Sequence, residues 1–296
     1  MAVLQWDKTG ERTFETGVSK GVLYQIDTDT GEYTPGVAWN GLTTVTEKPG
    51  GADSNKQYAD DIVYLNLLAA ETFDATIEAF TYPMEFEQND GTASPTAGVT
   101  VGQQPRKPFG FCWRTVVGND SEGNEYGYKL HLVWGALAAP SEKGYTTIND
   151  SPAPIGFSWD VSTTPVAVGT VLGHTYKPTA LMTISSIGTD PAKLATLEGY
   201  LYGTLADDPM LPSPADVINI MAASLTVATP TAPTYNSSTD IITIPSVTGV
   251  EYYIDGALVP AGSFGPITSN KLVKAKAATG YTFPAEQQKE WGIIFS

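Results

Sequence analysis

The residues with the clearest chemical potential are two histidines (His131, His174), one cysteine (Cys112) and two adjacent carboxylate pairs, Asp60/Asp61 and Asp207/Asp208. A histidine beside a nucleophile and a carboxylate would make an acyl-transfer triad, yet no G-x-S-x-G elbow is present to anchor one. His131 alternates with Leu130 and Leu132, which makes it a partly solvated strand residue on the opposite face. Cys112 lies in Phe109-Gly110-Phe111-Cys112-Trp113, a setting that suits a small core residue better than a nucleophile. The carboxylate pairs could serve glycosidic acid/base hydrolysis, but strand neighbours face opposite sides and Asp207-Asp208-Pro209 reads as a turn. Asp27-Thr28-Asp29-Thr30-Gly31 begins like a calcium loop and then fails, because Glu32 stands where the glycine belongs and Ala38 where the bidentate glutamate belongs. Neither glycine pattern that cradles phosphates occurs. The expectation is a chain with no catalytic, cofactor-binding or metal-ligating residues.

The charge balance narrows the partners. Across 296 residues, 16 Lys+Arg stand against 32 Asp+Glu, a net charge of −16. Holding nucleic acid by neutralising phosphates needs clustered cations, so that class is excluded, although such a chain can lie beside nucleic acid. Residues 227–296 hold five acids and four bases, so the excess acidity belongs to residues 1–226. A single cysteine permits no intrachain disulfide and fits assembly in a reducing compartment. The start lacks a basic, then apolar, signal-peptide pattern, and no stretch approaches the ~20 apolar residues of a membrane span. The expectation is a soluble protein with no membrane contact that is not exported by the usual route.

Abundant Gly, Pro, Thr and aromatic residues with little helical periodicity predict a mainly β fold. The strongest strand signal lies in residues 58–86. There Phe73, Ala75, Ile77 and Ala79 share one parity, while Asp74, Thr76, Glu78 and Phe80 share the other. Ile62-Val63-Tyr64-Leu65 precedes it, and the two runs read as a hairpin joined through residues 69–72. Residues 1–20 read as a polar arm and residues 47–55 (EKPGGADSN) as a long loop that stays mobile until bound. Further strands are expected at 21–26, 37–45, 109–117, 126–134, 155–162 and 179–185, with loops at 90–104 and 118–125 and an irregular stretch at 136–154. One helix is predicted over 191–202, N-capped by Asp190, with Pro191 at its first position, Leu194, Leu197 and Leu201 on one face and Gly203 as its stop. A short second helix can follow Pro214. LTVATPTAP, from Leu225, reads as a linker and places a boundary between domains 1–225 and 226–296. Strands are predicted there at 241–244, 251–254, 272–277 and 291–295, with a tight turn at Asp255-Gly256, a spacing that suggests a small Ig-like β-sandwich without its Cys…Trp…Cys hallmark.

The stretches DKTGERTFETGVSKGVLY, YADDIVYL, TIEAFTYPMEF, GYKLHLVWGALAAPSEKGYTTINDSP and FSWDVSTTPV, in this order over residues 1–224, resemble the major tail tube protein of long, non-contractile-tailed bacteriophages. Residues 227–296 more loosely resemble Ig-like decoration domains of phage virion proteins. The resemblance implies a tail-tube β-sandwich or barrel subunit with one flanking helix, followed by an Ig-like domain projecting from the tube. It implies no enzymatic activity and no cofactor. Six copies would form a ring, and stacked rings would line a conduit through which double-stranded DNA passes unbound, in a virion tail assembled in the host cytoplasm. Other tail proteins (tape measure, tail terminator, distal tail) and, through residues 226–296, the host surface would be partners. An acidic lumen would repel phosphate, with Asp74, Thr76 and Glu78 facing the channel and Phe73, Ala75 and Ile77 facing an outer layer packed by the Leu194/Leu197/Leu201 helix. Loop residues Glu47, Lys48, Asp53 and Asn55, with the N-terminal arm, would make ring-to-ring contacts. The alternatives are a mobile surface loop and, for the whole chain, a secreted carbohydrate-binding protein or glycan hydrolase.

Overall fold

The computed structural model describes residues 3–27, 29–148, 150–151, 153–204, 207–224, 226–278, 280–283 and 287–295. Thr28 of the calcium-like stretch, Asn149 and Pro152 of the irregular stretch, and Leu225 of the linker lie outside the described residues. Strands account for 50% of the chain and helices for 9%, so the fold is mainly β. No described helix is long and apolar enough to cross a membrane. The chain divides into two compact units, Met1–Thr189 with Glu198–Asn219, and Asp190–Leu197 with Ile220–Ser296.

In the first unit, the strands are β1 (Thr13–Ile26), β2 (Tyr33–Trp39), β3 (Leu42–Gly51), β4 (Ser54–Ala59), β5 (Ile62–Leu68), β6 (Glu71–Ala79), β7 (Ala93–Thr96), β8 (Val99–Val101), β9 (Phe109–Asn119), β10 (Gly123–Ala138), β11 (Phe157–Thr163), β12 (Gly169–Val171), β13 (His174–Tyr176) and β14 (Leu181–Ser185). The main sheet runs β2-β1-β9-β10-β11-β6-β3, and β14 also pairs with β10. It curls until β3 lies alongside β1 without backbone pairing: a Cβ on Gly21 would sit 2.2 Å from Leu42 Cδ1. Inside the curl, Leu23, Ile77, Phe111, Trp113 and Val161 surround an aromatic cluster. Its ring centroids are 4.6 Å apart for Trp39–Phe86, 5.6 Å for Trp39–Trp159 and 5.2 Å for Phe86–Trp159. Packed, edge-on aromatic pairs of this kind add to the burial that drives folding.

Several assignments change. The arm of residues 1–20 is strand from Thr13 onward, and the 90–104 loop contains the β7–β8 hairpin. The stretch 37–45 is two strands, because Gly41, at φ +77°, turns the chain between them. Ile77 enters the aromatic core, with Phe73 packed against it and Ala75 buried on the same face, rather than a helix-covered layer. The helix contact falls instead on the other face of β1, where the buried Tyr24 hydroxyl donates to Leu201 O (2.7 Å). Burial, with Cys112 beside it, pushes the Tyr24 phenol well up.

Helix α1 (Pro191–Tyr202) has its expected cap: Asp190 Oδ1 accepts from Ala192 N at 2.9 Å, and Gly203 stops it at φ +78°. Leu194, Leu197 and Leu201 are buried. Helix α2 (Pro214–Ala222) is N-capped by Ser213, whose Oγ accepts from Asp216 N (3.2 Å) and donates to Asp216 Oδ2 (2.6 Å).

The second unit contains β15 (Thr226–Val227), β16 (Thr234–Asn236), β17 (Ile241–Ile244), β18 (Val250–Ile254), β19 (Ala257–Val259), β20 (Gly262–Phe264), β21 (Lys271–Ala277), β22 (Tyr281–Thr282) and β23 (Glu290–Ile293). Sheets β16-β17-β20 and β19-β18-β21-β23 share a core of Ile242, Ile244, Tyr252, Ile254, Ile267, Val273 and Ala275. Asp255 and Gly256, both at positive φ, make the tight turn between β18 and β19.

Candidate functional site

The feature that sets this molecule apart is one continuous ribbon. Strands β3 and β6 pair from Leu42↔Ala79 to Gly51↔Glu71, and β4 and β5 pair from Ser54↔Leu68 to Ala59↔Ile62. The register carries across the junction, where Ala69 N donates to Asp53 O at 3.0 Å. Residues 42–79 therefore form a single hairpin whose turn is Asp60-Asp61, at φ +50° and +60°. Short carboxylate side chains tolerate this left-handed backbone, as a two-residue turn matched to strand twist requires. The expected turn at residues 69–72 is absent, and so is the mobile loop at 47–55. Glu47 and Lys48 lie on β3, Asn55 on β4, and Asp53 at the junction between them. Pro49 is accommodated because β3 ends the sheet path, where a missing N–H breaks no further ladder. At Gly51 (φ +75°) a Cβ would fall 2.2 Å from Ala70 O, so glycine is required.

The root of the ribbon, β3 and β6, presents one polar face outward. Ala75, Ile77 and Ala79 are buried, whereas Asp74, Thr76 and Glu78 point away from the core as the alternation predicts. Pairing sets them in rows with the outward residues of β11 and β3: Ser162–Asp74–Lys48, Asp160–Thr76–Thr46 and Ser158–Glu78–Thr44. Every position in these rows is a hydroxyl, a carboxylate or the single Lys48 ammonium. Lys48 Nζ (2.8 Å) and Thr76 Oγ1 (2.7 Å) both donate to Asp160 Oδ1. Those bonds and the Lys48 charge hold the Asp160 carboxyl below its ordinary value.

Beyond the root, the ribbon becomes an arm whose β5 strand carries exposed apolar side chains on both faces, opposite a largely polar β4. Tyr58 is 70% exposed, Ile62 62%, Tyr64 67% and Leu68 69%, with Val63, Leu65 and Leu67 also exposed. Strands β4 and β5 pack essentially on each other alone. Isolated two-stranded ribbons are marginal in water, and exposed apolar patches mark interaction surfaces. The signal for this surface was present in the sequence: Ile62-Val63-Tyr64-Leu65 is apolar at consecutive positions, which a strand with one solvated face would not be. The N-terminal segment adds exposed Val3, Leu4 and Trp6.

The histidines and the cysteine do not assemble into catalytic machinery. Cys112 is buried beneath the Tyr24 hydroxyl (3.3 Å), and burial pushes its thiol up to about 12, leaving no nucleophilic thiolate near neutrality. His174 is exposed on β13. His131 does face away from Leu130 and Leu132, but it is only 7% exposed, stacked on Trp113 at 4.8 Å and 7°. Its ring nitrogens meet Glu47 Oε1 (3.1 Å) and Thr115 Oγ1 (3.0 Å). Asp60 and Asp61 occupy the arm's turn. Asp207 hydrogen-bonds back to Thr204, with its N–H donating to Thr204 Oγ1 at 3.1 Å. Among the described residues, no group of three His, Cys, Asp or Glu side chains is placed to hold a metal ion. A scan against protein-family models finds no match, and a search of curated proteins finds no relative.

Proposed function

We propose that this chain is a structural subunit that assembles with copies of itself into stacked hexameric rings, forming an acidic phage tail tube for genome delivery. The observation that carries this reading is the 42–79 ribbon, whose root offers a polar, carboxylate-rich face to water while its arm leaves apolar residues on both faces uncovered. An arm of that composition is completed by a second protein surface, and a repeating assembly supplies one from every neighbouring copy. In the assembled tube the Asp74/Thr76/Glu78 face lines the channel and DNA slides past without binding. Residues 226–296 are then an Ig-like domain carried by the tube and available to the host surface, a reading supported by the two small sheets sharing one core.

Negative-stain electron microscopy of the purified, concentrated protein tests the proposal. Rings or tubes are expected, whereas a monomer that binds or cleaves a glycan would replace it with a secreted carbohydrate-active function. A second expectation concerns the channel face. Tubes carrying Asp74→Lys and Glu78→Lys should form normally yet retain DNA at low salt and release it as salt rises, because the added ammonium groups neutralise phosphates. Wild-type tubes should retain none at either salt concentration. If both kinds of tube ignore DNA alike, that face does not line the channel.

A further inference from the structure

The root of the ribbon is tied to the rest of its sheet by side chains at a place where the backbone is not. Strands β1 and β3 lie side by side but share no ladder. Across the gap, Glu15 from β1 and Glu47 from β3 reach the same buried imidazole, that of His131 on β10. We propose that His131 is held as an imidazolium and acts as a pH-sensitive clamp fastening the root of the ribbon to β1.

The hydrogen-bond arrangement fixes the protons. The Thr115 hydroxyl donates to Glu15 Oε1 at 2.5 Å, which commits its only proton. Its oxygen can then only accept from His131 Nε2, 3.0 Å away, so Nε2 carries a hydrogen. At the other nitrogen, Nδ1 faces Glu47 Oε1 at 3.1 Å, and an ionised carboxylate only accepts, so Nδ1 carries one too. A neutral ring would set a nitrogen lone pair against an oxygen at one of these contacts and open it. The charged groups facing the ring are Glu15 from β1, Glu47 from β3 and, through its 2.5 Å contact with Glu15, Lys129 from β10. From β9 come Trp113 and Thr115, and opposite His131 on β14 lies Thr183, all uncharged. Burial pushes the Glu15 carboxyl up, but hydrogen bonds from Lys129 and Thr115, with the charges of Lys129 and His131, outweigh it and leave the group below its ordinary value. The clamp is closed while both ring nitrogens carry a hydrogen, and loss of either one opens the contact it made. It operates within one subunit and does not depend on what the arm binds.

Two measurements on the full-length protein, kept dilute, test this. Ring ¹⁵N signals should show both His131 nitrogens protonated at pH 5.5, with exposed His174 as the internal reference. Hydrogen exchange should show protection factors of the β3 and β6 root amides falling at least tenfold from pH 5.5 to 8.5. In His131→Gln, protection should already be low at pH 5.5 and change little with pH. Glu47→Gln, which keeps a hydrogen-bond acceptor of the same size, should flatten the pH response without loss of the core, and so covers the possibility that the histidine variant misfolds. A neutral His131 ring at pH 5.5, or a root protection that varies with pH equally in wild type and Glu47→Gln, would overturn the proposal.

Discussion

Replacing residues 53–69 with an Asn-Gly turn yields a subunit that folds normally and no longer polymerises. Ala52 and Ala70 stand opposite each other at the junction, so a two-residue turn of that type closes the ribbon without changing its register. The removed strands pack essentially on each other, and none of their large apolar side chains is buried. Thermal unfolding should therefore move by no more than about 2 °C, as for changes outside a core. Rings and tubes should vanish from electron micrographs at concentrations where wild type assembles. Normal tubes from this variant would remove the arm from the assembly surface. Cutting at Lys48 instead would be a poor test, since Lys48 belongs to the sheet and its ammonium holds Asp160.

The largest effect on stability is expected at Asp90→Ala. The Asp90 side chain is 4% exposed and accepts from Lys143 Nζ (2.6 Å), Trp159 Nε1 (3.0 Å) and Arg106 Nη1 (3.5 Å). Beside it, fully buried Asn89 accepts from Gln25 Nε2 (2.8 Å) and donates to Lys107 O (2.9 Å). Removing the carboxylate strands two partly buried cations and an indole N–H, a loss of about 3–5 kcal/mol and roughly 10 °C in melting temperature for a unit of this size. Burial pulls the Lys143 ammonium down, but its hydrogen bond to Asp90 and the Asp90 charge outweigh that and leave it above its ordinary value. A group raised in this way contributes stability that is complete below its unfolded value and disappears only as pH climbs beyond it, above about 10 for lysine. The cost of the substitution should thus be undiminished from neutral pH to about pH 9. Equal melting temperatures for variant and wild type would mean that the network contributes nothing net.

Local pattern and long-range pairing divide what could be read in advance. The outward placement of Asp74, Thr76 and Glu78 was legible because alternation in a half-buried strand is a local property. So were the Asp190 cap, the Gly203 stop, the Asp255-Gly256 turn and the burial of Cys112. The ribbon's true turn was not, because Pro49-Gly50-Gly51 carries loop chemistry that an edge strand nonetheless accommodates, while Asp60-Asp61 lacks the glycine that usually announces such a turn. Nothing local to His131 or Asp90 reveals their burial. His131 is covered by Glu15 and Glu47, brought in by the curl of the sheet, and Asp90 by Trp159 of β11 and by Arg106 and Lys143 from the connections before β9 and after β10. The position of Lys48 was misread for the same reason: its partner Asp160 lies 112 residues away.

The continuity of the ribbon across its junction also determines how the molecule carries mechanical load. Because β3 and β6 run directly into the arm, a pull on its tip is transmitted lengthwise along both strands. Strand β6 is then drawn in shear against β11, where the pairs from Asp74↔Ser162 to Ala79↔Phe157 resist together instead of opening one after another like a zipper. The arm is thus anchored as a tensile element of the sheet, with its pulling direction set by the strands themselves.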